Sequence, residues 1–231
     1  METRREVGTP HLVVLRARKN SLNNRFHVAE FVRTEAVLMV DDDVLPSPSL
    51  VRCMVAKWAS APEQMIGLDL RRVGMRSKTR TSERKAMYVR VRHTYVHAPG
   101  DHVDAWLQNT VIGQTMLFHR RYMLMYTRDD AVLAVVERRK NCEDIIINAF
   151  VANSTGRGAT LVRRHHGFTR AKLSDKHGLS NTIGFAPGMD VEVEAWRALR
   201  EECVEWVYEH FGEAAFGNDP LGGFPDFETC A

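Results

Sequence analysis

Three consecutive aspartates, Asp41, Asp42 and Asp43, directly follow the apolar run AVLMV at residues 36–40. Carboxylates crowded this closely repel one another, and no Lys or Arg stands beside them in sequence. A hard divalent cation such as Mn²⁺ or Mg²⁺ takes oxygen ligands and relieves that repulsion. It can also bridge to a diphosphate and stabilise the charge that develops as that group departs. In extended chain, residues i and i+2 face one side, so Asp41 and Asp43 can address a single ligand together. A solvated turn or a helix cap is the alternative. Capping is weakened because Ser47-Pro48 already starts the next helix. A second acidic pair, Glu143-Asp144, stands in the NCED segment at residues 141–144, ahead of Ile145, Ile146, Ala149 and Phe150 at helical spacing. There Asn141 reads as a helix cap, and the two acids favour the positive helix end. A capped first turn would equally hold an acid rigidly against a reacting carbon, and both readings stand.

The surrounding pattern must position these groups. HLVVLR at residues 11–16 reads as a short buried strand. The Asn-rich segment 20–24 precedes a helical face of Phe26, Val28, Ala29, Phe31 and Val32. The unbroken run 36–40 suits a central strand covered on both faces. In open α/β sheets ligands sit beyond the carboxyl ends of such strands, which is where the triple aspartate falls. Ser47-Pro48 opens a helix with an apolar stripe of Leu50, Val51, Met54, Val55 and Trp58, with Cys53 as a buried thiol. Residues 65–68 read as a strand, 71–85 as an exposed basic loop, and 87–96 as a half-exposed, edge-like strand. Residues 110–118 read as one strand, 119–139 as one or two helices, and 192–211 as a late amphipathic helix bearing Trp196, Leu199, Cys203, Trp206 and Val207. The Gly- and Pro-bearing tail after Gly212 reads as loose.

The chain has 231 residues, 44% hydrophobic and 26% charged, which suits one domain with a substantial core. A formal charge of +3 is too small for a whole-chain nucleic-acid binder. Basic charge is instead concentrated at residues 71–92, with nine Lys or Arg against the single acid Glu83. A solvated face is the default for such a run, and an anionic acceptor such as a uronate glycan or phosphoinositol headgroup is the functional alternative. No stretch reaches the roughly 20 apolar residues of a membrane span, and the start lacks a secretory apolar region. Cys53, Cys142, Cys203 and Cys230 show no CxxC spacing, which argues against structural zinc. Asn153-Ser154-Thr155 is an N-glycosylation acceptor pattern. His165, His166 and His177 form no metal spacing, while Trp106 falls in a segment expected to border an acceptor cleft.

With both acidic sites in view, the chain resembles glycosyltransferase family 64, the exostosin C-terminal domain and its plant and algal relatives. The resemblance rests on NSLNNRF (20–26), AVLMVDDDV (36–44), IGL (66–68), VIGQTMLFHRRY (111–122) and NCEDIIINAFVANSTG (141–156), with looser matches at GLS (178–180) and REEC (200–203). It implies an α/β, GT-A-like mixed sheet flanked by helices over residues 10–212, with 213–231 a disordered tail. It also implies an N-terminal truncation, since family domains normally begin with a further strand, helix and strand. The implied activity is retaining transfer of a sugar, an N-acetylhexosamine, from a UDP-sugar to a glycan or glycolipid acceptor. Under that reading Asn20, Asn24, Arg25, Asp41 and Asp42 contact the nucleotide sugar, and Asp43 binds Mn²⁺ or Mg²⁺. Asp144, with Glu143 beside it, faces the reaction centre. Relatives carry a catalytic arginine between the GLS segment and the late helix, an interval that here reads NTIGFAPGMDVEVEAWR, for which Arg197 is the nearest candidate and a solvated helix charge the alternative. The resemblance further implies a Cys142–Cys203 disulfide, a Golgi or endoplasmic-reticulum lumenal location, no nucleic-acid partner, and room for a homo-oligomer. A truncated, catalytically silent binding protein is the competing reading.

Overall fold

The computed structural model describes residues 13–41, 44–68, 70–77, 84–90, 108–113, 115–163, 168–170, 190–217 and 228–229. Its centre is a five-stranded mixed sheet. In chain order its members are β1 (Ala36–Val40), β3 (Ile66–Gly67), β7 (Thr115–His119), β8 (Thr160–Arg163) and β10 (Glu228–Thr229), arranged β1-β7-β3-β8-β10. β7 runs antiparallel to both β1 and β3, whereas β3, β8 and β10 run parallel to one another.

Side chains alternate across this sheet, as the two-residue period of a strand requires. Met39, Met116 and Phe118 enter the larger core, shared with α2 (Arg121–Thr127), α3 (Asp130–Arg139), α4 (Glu143–Thr155) and α5 (Asp190–Phe211). Leu38 and Leu117 point the other way, against Leu50, Met54 and Trp58 of α1 (Pro48–Ser60). The result is a layer of strands between helices, the mixed α/β arrangement expected. β1 is covered on both faces, but it lies at the end of the sheet order among the described residues rather than in the middle. Only Met39 of its five residues is fully buried.

α1 begins as Ser47-Pro48 predicts: the Ser47 hydroxyl accepts the Leu50 amide hydrogen at 3.2 Å, and Pro48 occupies the first turn. Other expectations are corrected. Residues 13–16 form no strand, and Val14 is 73% exposed; His11 and Leu12 lie outside the described residues. The segment holding Phe26 to Val32 is two short 3-10 turns, Leu22–Arg25 and Ala29–Phe31, not one helix. Phe26 and Ala29 are buried from those turns, while Phe31 faces solvent.

Most of the described part of the basic stretch at 71–85 is strand, not loop. It belongs to β4 (Leu70–Ser77) and β5 (Arg84–Arg90), which pair antiparallel, and Arg71 and Arg72 are buried; residues 78–83 lie outside the described residues. Val73, which follows them, is fully buried, so the charged residues conceal a strand that is already covered in the fold. With β6 (Gln108–Val111), β4 and β5 make a three-stranded sheet in the order β5-β4-β6, so β5 is an edge among the described residues, as its alternation suggests; its continuation over 91–96 lies outside the described residues. The single strand expected at 110–118 is two, β6 (Gln108–Val111) and β7, separated by the turn at Gly113. A further pair, β2 (Val44–Pro46) with β9 (Phe168–Arg170), completes the strands. Past Gly212 the chain is not loose at once. Ala215 and Phe216 are fully buried in the larger core, so packed structure runs to Gly217.

Gly67 decides one close approach. A Cβ there would meet Val111 Cγ2 at 2.8 Å and Cβ at 2.9 Å, so only glycine lets β6 cross β3 at this distance.

Candidate active site

α4 supplies the acids. Its residues from Glu143 to Ala152 are all buried, a helix enclosed on every side. The helix does not start as expected. The N-cap position falls to Cys142, held left-handed at φ 84° and without a capping side-chain bond. Asn141 instead accepts the Cys142 amide hydrogen at 2.8 Å and the Arg200 Nη1 hydrogen at 2.7 Å. The disulfide from Cys142 to Cys203 joins this turn to α5, with Cα atoms 5.3 Å apart. Cys53, expected as a thiol, is disulfide-bonded.

Asp144 is the best-connected acid. Arg200 Nη2 donates to both its oxygens at 2.6 Å, the Ile145 amide donates at 2.8 Å and the Gly113 amide at 3.2 Å. Arg200 is 3% exposed and lies over the rings of Tyr88 (5.1 Å) and Trp196 (5.3 Å), which meet edge to face. Aromatic faces complement a weakly hydrated, planar guanidinium better than an ammonium. Burial opposes ionisation of Asp144, but the Arg200 charge and the hydrogen bonds outweigh it and hold the carboxyl below its ordinary value. Glu143 goes the other way. Burial first, and the neighbouring Asp144 charge second, push it up to about 7. Two adjacent acids driven apart in this way can be one ionised and one protonated near neutral pH.

Arg25 closes the other side. Its Nη1 lies 3.2 Å from Asp41 Oδ1 and 3.8 Å from a Glu143 oxygen. The turn that presents it is anchored: the Asn23 amide donates to the Leu133 carbonyl, and Tyr126 donates its hydroxyl hydrogen to Asn23 at 2.7 Å. Gly113 lies between these groups; a Cβ there would meet Arg25 Nη1 at 3.2 Å and the Asp41 oxygens at 3.7 and 3.8 Å. Asn148, one helical turn beyond Asp144, exchanges two hydrogen bonds with the Val111 backbone at 2.7 and 2.9 Å, locking the end of β6 against α4. The fold thus brings together Arg25 and Asp41 from the first part of the chain, Glu143 and Asp144 from the middle, and Arg200 from the late helix.

The remaining candidates are placed differently. Asn20 is exposed, and Asn24 turns its amide to the Lys19 carbonyl at 2.7 Å. Asp42 and Asp43 lie outside the described residues, as do Trp106, His165, His166 and His177. Among the described residues no three His, Cys, Asp or Glu side chains converge as a metal site. Arg197 is largely exposed and faces Glu201 at 3.9 Å, one turn along its own helix. Arg200, three residues on, is the arginine that reaches Asp144. Its signal was present in the sequence: Trp196, Arg200, Cys203 and Val207 share one helical stripe, so Arg200 is a charge on an otherwise apolar face.

A mixed sheet between helices, with a buried carboxylate–arginine pair beside a strand-end aspartate, places the chain in the mixed α/β class. The model of the glycosyl transferase family 64 domain matches residues 2–218, and the chain belongs to that family. It is similar to glycosylinositol phosphorylceramide mannosyl transferase 1 of Arabidopsis thaliana, 30% identical over 151 residues, which is 63% of this chain and 42% of that protein. It is 29% identical over 144 residues to glucosamine inositolphosphorylceramide transferase 1 of Arabidopsis thaliana, covering 61% of this chain and 17% of that protein. Exostosin-like 2 of Homo sapiens is 31% identical over 140 residues, 60% of this chain and 39% of its own. Each match thus spans less than half of the relative's length.

Proposed function

We propose that this chain is a glycosyltransferase of GT-A-like architecture that moves a sugar from a UDP-sugar donor to a glycan or glycolipid acceptor with retention at the anomeric carbon. The observation that carries the reading is the buried Asp144–Arg200 pair, 2.6 Å apart, facing the cluster of Arg25, Asp41 and Glu143 across Gly113. Family membership and the names of the relatives, two of them inositolphosphorylceramide glycosyltransferases, support the class of reaction and of acceptor.

In this reading Arg25 makes charge-assisted hydrogen bonds to the diphosphate, and Asp41 orients the guanidinium that does so. Asn20, Asn24 and Asp42 complete the nucleotide-sugar contacts. The oxygen donors of Asp41 to Asp43 fit a hard cation, and the space left by the missing Gly113 side chain beside Asp41 is compatible with a ligand there. Asp43 would hold the Mn²⁺ or Mg²⁺, which supplies charge neutralisation for the departing diphosphate. Asp144, ionised and immobilised by Arg200, presents a negative oxygen to the anomeric carbon as positive charge develops there. Glu143 protonated beside it avoids a second charge in the same pocket. Arg200, rather than Arg197, is the arginine assigned to the centre.

The test is calorimetric titration of UDP with and without Mn²⁺, for the wild type and Asp43→Ala, paired with donor hydrolysis for Arg200→Lys. Metal-dependent binding that is lost in Asp43→Ala, together with lost turnover in Arg200→Lys, is expected. Equal UDP affinity in wild type and Asp43→Ala rejects the metal role. Undiminished turnover in Arg200→Lys rejects the placement of Arg200.

A further inference from the structure

We propose that Asn153 carries an N-linked glycan, attached while the segment that becomes α4 is still extended. Asn153-Ser154-Thr155 is the one Asn-x-Ser/Thr triplet in the chain, and none of its residues has a role in the site described above. Two independent observations turn the triplet into a site.

The first is placement. Ten successive residues of α4, Glu143 to Ala152, are buried, and Asn153 is the first to reach solvent. It lies nine positions beyond Asp144, about 13 Å along the axis at ~1.5 Å per residue. A bulky, hydrated substituent is therefore accommodated at one end of the helix without touching the acids at the other.

The second is oxidation state. Cys142 is bonded to Cys203, Cys53 is also in a disulfide, and no described cysteine is free. Disulfides persist in oxidising compartments, the same compartments in which N-glycans are added.

The folded geometry also fixes the timing. Thr155 donates its hydroxyl hydrogen to the Val151 carbonyl at 2.9 Å, and Ser154 donates to the Phe150 carbonyl at 2.8 Å. The hydroxyl that a glycosylating enzyme must engage is thus occupied within the helix, and the triplet is coiled rather than extended. Modification has to precede docking of α4. In the transfer itself the Asn153 amide nitrogen bonds to the anomeric carbon of a lipid-diphosphate-linked oligosaccharide. The bond from that carbon to the diphosphate oxygen breaks, its electron pair leaves with the lipid diphosphate, and the amide gives up one proton.

The experiment treats the polypeptide isolated from its native cells with peptide N-glycosidase and reads gel mobility and the mass of the peptide holding residue 153. One mobility step, and conversion of Asn153 to Asp, are expected. In parallel the chain is expressed behind a secretory leader as wild type, Asn153→Gln, Thr155→Ala and Ser154→Ala. The step should vanish in the first two variants and persist in the third. Folded, unglycosylated chain mixed with the glycosylating membranes should remain unmodified. Native protein without the step, a step that survives Asn153→Gln, or efficient modification of the folded chain each overturns the proposal.

Discussion

Removing Arg200 should destabilise the protein far more than loss of a surface charge would, and in a way that depends on pH. The pair it forms with Asp144 is nearly inaccessible to solvent, with side chains 4% and 8% exposed. Breaking such a pair from one side leaves a buried charge uncompensated, at a cost of about 3–5 kcal/mol. The Gly113 and Ile145 amides still donate to Asp144, which places Arg200→Met near the lower figure, ~3 kcal/mol. In the wild type the folded Asp144 pKa is depressed below 3.8. Its stabilisation is therefore present above that ordinary value and lost as pH falls through the folded one. Without Arg200, burial dominates and the folded pKa rises above the ordinary value. The carboxyl then contributes stability below that value and loses it as pH rises. The deficit of Arg200→Met should accordingly shrink on acidification. The assay is urea unfolding followed by tryptophan fluorescence, since Trp196 packs on the guanidinium. Arg200→Met combined with Asp144→Leu should recover much of the loss, because an apolar pair of similar volume is often neutral. A deficit under ~1 kcal/mol, the worth of an exposed pair, or one unchanged by pH, refutes the reasoning.

Three further outcomes are expected. Glu143, raised from 4.5 to about 7, stabilises the fold below 4.5 and loses that contribution as pH rises through 7; Glu143→Gln should flatten the stability profile over this window, and an unchanged slope would rule the assignment out. The Cys142–Cys203 bond closes a loop with a sequence separation of 61, so Cys142→Ser with Cys203→Ser should cost roughly 4 kcal/mol in denaturant unfolding on the chain-entropy account. Gly67→Ala drives a methyl group into Val111 and should cost at least ~1–3 kcal/mol, while Val111→Ala in the same molecule should restore part of it; additive losses would refute the steric explanation.

What could be read in advance was local or strongly patterned. Ser47-Pro48 marks a helix start because a hydroxyl cap and a fixed φ act within one turn. The apolar residues of 36–40 and the stripe of 192–211 announce a strand and a helix by their period. The misreadings arise where distant chain decides. Arg71 and Arg72 look solvated in sequence, yet β4 is covered on both faces here: Arg71 shares one face with Val73, Arg72 takes the other, and all three are buried in the folded protein. Cys142 takes the left-handed cap position where it is bonded to α5, a constraint no neighbouring residue reveals. Asn141 is of a type that suits a helix cap, whereas its oxygen serves Arg200 from another helix. Gly113 is the local break that divides 110–118 into two strands, a signal present in its residue type. Of the cluster the fold assembles, Asp41, the Glu143-Asp144 pair and Arg25 are legible in the sequence. Arg200 shows only as a charge on an apolar stripe, a signal that gains meaning once its partner is known to lie inside.

The sulfur link between the start of α4 and α5 has a mechanical consequence. Scission of the backbone anywhere between Gly156 and the beginning of α5 would leave two pieces that migrate as one molecule until a thiol reductant is added. In that nicked form Cys203 remains tethered beside Cys142, so the guanidinium three residues before it stays within reach of its carboxylate. The protein can therefore survive a clipped connection there without its two halves of the centre drifting apart.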